Sequence, residues 1–396
     1  MKILPPVVLS IVLFNCTGSN KTTVGFSPIR SFPSPAAKES IDPHLFRYND
    51  VVYLSWLEVE DTTATFKYST LEGESWAAAQ TITSGNTWFV NWADYPSMAI
   101  NGETFIAHYL DRSGPGKYSY DVKYLISGDG KNWNGPTLLN DDGKDAEHGF
   151  VSIVPYNEDF FVAWLDGRDA VMEGMDHEGH HGSMSLRGAI LDRQGKKLKE
   201  WLLDERVCDC CQTTAAVTGK GPIVVYRDRS DDEVRDMSVV RLVDNEWTKP
   251  ASIYEDQWEI NGCPVNGPRV SAMGDDVAVA WFSAPGDSTQ VKVIFSNDGG
   301  AGFTKPVLIN GSKTSGRVDV ELLGPDNAIV SWIENDSIQV AKVSSNGRGS
   351  ARAVSRISTS RASGFPQMTK VGERLIFAWT DVETRTVQTA GIDINR

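Results

Sequence analysis

Short apolar runs that end in an aromatic residue recur along the whole chain. They span Val51 to Trp56, Thr104 to Tyr109, Phe160 to Trp164, Ile223 to Tyr226, Val277 to Trp281, Ala328 to Trp332 and Leu375 to Trp379. The closing aromatics stand at 56, 109, 164, 226, 281, 332 and 379, so successive gaps are 53, 55, 62, 55, 51 and 47 residues. The runs are apolar throughout instead of alternating, which marks strands covered on both faces. Seven copies at a spacing of about fifty residues predict propeller blades.

Each copy reads as four strands. A short first strand precedes the aromatic strand by a turn, as at Asp94 to Met98 and Gly364 to Met368, and two more strands follow. The seventh copy stops after its third strand, Val387 to Ile392, whereas Val24 to Ile29 stands before the first copy as an orphan. Pairing these two would complete the last blade and remove an exposed sheet edge. The expectation is an all-β chain forming a single seven-bladed propeller over 24–396, closed by its N-terminal strand. Six blades are the fallback. A pair of β-sandwiches would not explain an orphan strand at one end and a missing one at the other.

The first residues read as an address. Lys2 precedes a mostly apolar run from Ile3 to Phe14, and Leu13-Phe14-Asn15-Cys16 closes it. This resembles a bacterial lipoprotein signal over 1–16, with Cys16 as the lipidated residue and 17–23 as a linker. The alternatives are an ordinary cleaved signal peptide or a short anchor. The run is too short to span a bilayer as a stable helix. The expectation is a soluble body, exported to the cell envelope, monomeric, and touching membrane only through its lipid. A formal net charge of −14 argues against a nucleic-acid partner and leaves room for a small anionic or glycan ligand.

Ser296 to Phe303 matches Ser-x-Asp-x-Gly-x-x-aromatic; Ser127 to Trp133 is one residue shorter, and Ser69 to Trp76 carries Leu71 where the Asp belongs. This Asp-box resembles the sialidase-like superfamily of propellers, in which it is a turn between third and fourth strands. Its Ser and Asp side chains bond the turn backbone. The box speaks for fold and is nearly silent on function.

In a propeller, the loops joining fourth to first strands and second to third strands share one face. Mapping the copies places the unusual residues of this chain there. One constellation is soft: Cys208, Cys210 and Cys211 in Cys-x-Cys-Cys, Cys263, His148, and a loop carrying His177, His180 and His181. Thiolate and imidazole ligands suit copper or zinc. In an exported chain the four cysteines also suit disulfides between blades four and five, or a reactive thiol.

The other constellation is ionic: Arg112, Arg168, Arg227, Arg229, Arg235 and Arg317 with Asp94, Asp166, Asp228, Asp236 and Asp319, and Asn266 nearby. Guanidinium forks suit carboxylate, sulfate or phosphate. Carboxylates near Tyr226 would suit glycoside chemistry, with Asp94, Tyr226, Arg227, Asp228, Arg229, Arg317 and Asp319 as the catalytic set. The plainer alternative is a set of ion pairs stitching blade loops together.

The resemblance implies an exo-acting sialidase, but the family's arginine triad does not map here. Ile29-Arg30-Ser31 offers an arginine without the Arg-Ile-Pro motif. The chain also resembles a subset of these proteins carrying Cys-x-Cys-Cys and Cys-Pro-x-Asn-Gly-Pro (here Cys263 to Pro268), which implies no particular activity. Three readings follow: a ligand- or soft-metal-binding envelope lipoprotein, a sialidase-type glycoside hydrolase, and a non-catalytic scaffold with structural disulfides.

Overall fold

A computed structural model describes residues 25–170 and 183–394. Seven antiparallel sheets follow one another along the chain. Blade one begins at Ser40–Tyr48, blade two at Ser97–Asn101, blade three at His148–Tyr156 and blade four at Thr214–Thr218. Blades five, six and seven begin at Arg269–Met273, Thr314–Gly324 and Gln367–Val371. The aromatic runs form each second strand, sandwiched between neighbouring blades, and Trp56, Trp164, Trp281 and Trp332 are at most 1% exposed. Each of these indoles donates to a carboxylate: Trp56 to Glu58 at 3.0 Å, Trp164 to Asp166 at 2.8 Å, Trp281 to Asp256 and Trp332 to Glu334 at 2.7 Å. The recurring aromatic therefore fills the inter-blade core while its one polar atom stays satisfied.

The ring closes as expected, but a few residues later in the chain. Arg30–Phe32 pairs with Thr386–Asp393, placing Arg30 opposite Gly391 and Phe32 opposite Thr389, while Phe26 makes an isolated bridge to Ile394. Pro28 has no N–H to give a ladder centred on 24–29. Phe32 fixes the register, because a side chain at Gly391 would collide with its ring.

The intact Asp-box turns behave as the motif requires. Asp298 accepts the amides of Ala301 and Gly302 at 2.9 and 3.0 Å, and Asp129 accepts those of Lys131 and Asn132 at 2.8 and 2.7 Å. The degenerate copy keeps only its serine contact, Ser69 to the Ala77 carbonyl.

The seven first strands line a central cavity of about 280 Å³. Three of them carry a bulge near their start, between Ile41 and His44, Gly149 and Ser152, and Gly316 and Asp319. Extra residues there bend the strand starts over the axis. An aromatic plug closes this end: Trp92 stacks on Phe365 at 5.6 Å, and Gln212 ties the Ala93 carbonyl to the Gly267 amide. No helix among the described residues is long and apolar enough to cross a membrane.

Candidate functional site

The three-cysteine turn joins the last strand of blade three, Lys197–Val207, to the first strand of blade four. Its entry is pinned by Val207 bridging Asp228 and by the Cys208 amide on the Arg227 carbonyl at 3.0 Å. Within that short turn the Sγ atoms of Cys208, Cys210 and Cys211 all lie within 4.8 Å of one another. Cys208 Sγ is 3.6 Å from that of Cys211 and 4.0 Å from that of Cys210. Cys263, from the blade four to blade five loop, reaches Cys210. All four thiols are unbonded; Cys208 and Cys211 are buried, Cys210 is half-buried and Cys263 is exposed.

Polar groups surround the sulfurs. Arg235 Nη1 donates to Cys208 Sγ at 3.1 Å, and the Asn266 amide donates to Cys211 Sγ at 3.4 Å. Burial pushes the Cys211 thiol up, but hydrogen bonds from Cys208 and Cys210, the Arg227 charge and the Asn266 amide hold it well below the usual thiol range. The hydrogen bond from Cys210 likewise lowers Cys263. Cys210 moves the other way, raised by its hydrogen bonding with the neighbouring thiols. The surroundings of Cys211 and Cys263 thus favour the thiolate over the thiol.

Around the thiols stands a frame of paired charges. Arg229 bonds Asp209 and Glu233, both at 2.8 Å, and Arg235 shares Glu233 at 2.5 Å. Arg227, 2% exposed, is saturated by carbonyls: Arg235 and Phe282 at 2.6 Å and Asn266 at 2.8 Å, with Trp258 stacked 4.8 Å from its carbon. Asp228 accepts the Ser238 hydroxyl, and Asp236 accepts the Gln257 and Trp258 amides.

The other residues named from the sequence lie elsewhere. Arg317 is buried in the plug, bonded to the Gly364 carbonyl at 2.8 Å and lying 5.0 Å over Trp92; burial lowers its pKa to about 10. Arg168 forks onto Asp166 at 2.8 and 2.7 Å, beside the buried His148, which bonds Asp142 at 3.1 Å. Arg112 lies over Phe89. Asp94 accepts the Phe150 amide at 2.7 Å, and Asp319 takes the amides of Val320 and Met368. Tyr226 is 1% exposed and donates to Asp204 at 2.5 Å, and burial followed by the Asp204 charge drives its phenol far above its usual range. The seven residues of the catalytic set are therefore divided among the axis, the plug, the thiol frame and an inter-blade core. The arginines chosen for an anionic ligand are held by carbonyls and carboxylates of the protein itself. Cys16, His177, His180 and His181 lie outside the described residues.

Sequence reasoning missed Asp209, Glu233 and Glu147. Asp209 sits inside the cysteine motif and Glu233 between two Arg–Asp pairs, so position was a usable signal for both. Glu147 and Asp94 both approach the single hydroxyl of Tyr120, at 2.9 and 3.2 Å. The two carboxyl groups therefore compete for one phenolic proton. Burial raises both, Asp94 to about 7 and Glu147 to about 8.

No protein-family model matches this chain, and no curated protein matches it. Solved structures do. An ulvan lyase, a polysaccharide lyase, aligns over 92% of this chain and 94% of its own at a TM-score of 0.57 and 13% identity. An α-L-arabinofuranosidase from Fusarium graminearum aligns over 93% and 98% at 0.50 and 10% identity. Sialidases are among the neighbours. That of Streptococcus pneumoniae covers 92% of this chain and 70% of its own at 0.45 and 12% identity. At such identities the likeness is one of fold.

Proposed function

We propose that this propeller binds one soft metal ion, Zn2+ or Cu+, through Cys208, Cys210, Cys211 and Cys263. The sulfur spacing carries the reading. A tetrahedral thiolate site with metal–sulfur bonds near 2.3 Å sets its sulfurs roughly 3.8 Å apart, and Cys208 stands 3.6 Å from Cys211 and 4.0 Å from Cys210. A disulfide needs sulfurs at about 2 Å, and adjacent Cys210 and Cys211 would join only with strain. The chain itself supplies the outer contacts. Arg235 and the Asn266 amide hold two sulfurs by N–H···S bonds, and Arg227, Arg229 and Arg235 offset the thiolate charge. Binding would release the protons of those cysteines that are still thiols.

In this reading the site belongs to an exported, monomeric envelope lipoprotein anchored through Cys16. Metabolic labelling with a fatty acid, lost in Cys16→Ser, tests the anchor. For the site, full-length chain purified anaerobically is assayed for metal and, after denaturation with chelator, for free thiols. About one Zn2+ or Cu+ per chain, displaced by mercury reagents as the thiols of 208, 210, 211 and 263 become reactive, is expected. Blocked thiols without metal would instead support the disulfide scaffold.

The exo-acting glycoside hydrolase is the second reading, supported by the fold shared with carbohydrate-active enzymes and by Asp94 and Glu147 at the Tyr120 hydroxyl, both raised by burial. Turnover of a fluorogenic glycoside, lost in Glu147→Gln but kept in Cys211→Ser, would favour it over the metal site.

A further inference from the structure

Among the described residues three arginines are buried: Arg227 and Arg317, bonded to backbone carbonyls and lying against aromatic faces, and Arg235, held by Glu233 and Cys208. A fourth, Arg269 on the first strand of blade five, is half-buried and lines the axial cavity. Its one protein hydrogen bond goes to the Tyr95 hydroxyl across the cavity, itself held by Gln367 at 3.2 Å. No carboxylate among the described residues is within ion-pair range of it. Asp319 shares the wall, but both its oxygens accept backbone amides. A half-buried guanidinium with spare donors, whose nearest opposite charge is Asp319 beyond ion-pair range, gains from a further anionic partner.

A second lining residue is also unsatisfied. His44 Nδ1 is buried without a hydrogen-bond partner, and burial followed by the Arg269 charge lowers its pKa to about 3, so the ring is neutral. The cavity holds roughly nine waters' volume at about 30 Å³ each. The plug closes it on the thiol face. On the other side the first strands grow more exposed toward their ends, as at Ser152–Tyr156, Ala215–Val217 and Lys370–Val371. Entry is therefore from the Asp-box face, past Ala215 and Arg47. Asp94 and Glu321 are raised to about 7, chiefly by burial, so near neutral pH they carry less negative charge toward an anion than ordinary carboxylates would.

We infer that this cavity is a second binding site, separate from the thiols, for a small hydroxylated solute bearing one oxyanion, which Arg269 pairs with while His44 and Gln367 engage its hydroxyls. Carboxylate and phosphate share this chemistry, and the test separates them. Full-length protein is titrated calorimetrically with glucuronate, glucose 6-phosphate and glucose. Saturable binding of at least one anionic probe, with glucose at least 10-fold weaker, is the expected result; which anion binds identifies the source. Arg269→Gln keeps hydrogen-bond donors but loses the charge, and should weaken the anion at least 10-fold. Ala215→Trp narrows the entrance without touching Arg269 and should abolish binding, which keeps the test open if Arg269→Gln folds poorly. Binding unchanged in Ala215→Trp would place the anion outside the cavity and overturn the inference. So would failure of both anions to bind wild type.

Discussion

Arg227 and Arg269 sit one blade apart, one buried and one half-buried on the cavity wall, and have opposite surroundings. Arg227 has three backbone carbonyls and an indole face arranged around it, and closes the floor of the thiol frame. Arg269 has one phenol and an open cavity. The contrast separates arginine used as internal scaffold from arginine left available, which counting arginines on one face does not do. A saturated guanidinium is fixed by the fold, whereas an unsaturated one draws a partner from outside.

The sharpest way to break this contrast is a paired substitution. Arg227→Gln strips several charge-assisted bonds from a buried group and should cost about 3–5 kcal/mol, whereas Arg269→Gln without ligand should cost under about 1 kcal/mol. Urea unfolding measures both, and equal costs would abolish the distinction. Next in size, Cys211→Ser should weaken Zn2+ at least about 100-fold, while Arg235→Met, which removes only the N–H···S bond and its charge, should weaken it about 10–100-fold. Chelator competition reads both.

Acidity should divide the two regions. Asp42, Asp94 and Glu321 at the axis are raised to about 7, mainly by burial. Their folded pKa values exceed the unfolded ones, so the stability they give is fully present below about pH 4 and is lost as pH rises through 7. Glu233 in the thiol frame runs the other way. Hydrogen bonds from Arg229 and then Arg235 hold it near 2, so its contribution is present above about pH 4 and lost on acidification. Thermal midpoints should therefore peak at mildly acid pH and fall toward 8, while metal affinity rises over the same range as thiols ionise. Parallel trends would contradict the assignment. The smallest effect expected is Asp298→Asn, about 1 kcal/mol from a weakened turn; Leu71→Ala, in the degenerate copy, should leave that turn's backbone bonds unchanged in hydrogen exchange.

The architecture was legible because its signals are local and repeated. Trp56, Trp164, Trp281 and Trp332 each mark an inter-blade core, and Asp129 and Asp298 each mark a turn. The closing strand was legible to within a few residues, and Pro28 accounts for the offset. The site was harder because its chemistry depends on pairings between distant segments. Ion pairs between blade loops were one expectation, and Arg229 does take Asp209 from twenty residues away, but the letters alone did not show which partners meet or that Arg227 is held by carbonyls. Arg269 stood in no motif, and only the cavity wall shows that it lacks a partner. The cysteines were noticed for their density; their spacing required the turn that folds three sulfurs together.

The clasp that joins Arg30 to the far end of the chain also orders events in time. Arg30 bonds Asp393 across 363 residues, so nearly the whole chain must be made before the circle can shut. Until then blade one has a bare flank and blade seven lacks its outermost strand. Closing so long a loop is entropically slow, which leaves an open horseshoe as the species most exposed to proteases and to strand exchange between neighbouring copies. A chain cut short after blade six could fold its individual sheets and still never become a ring.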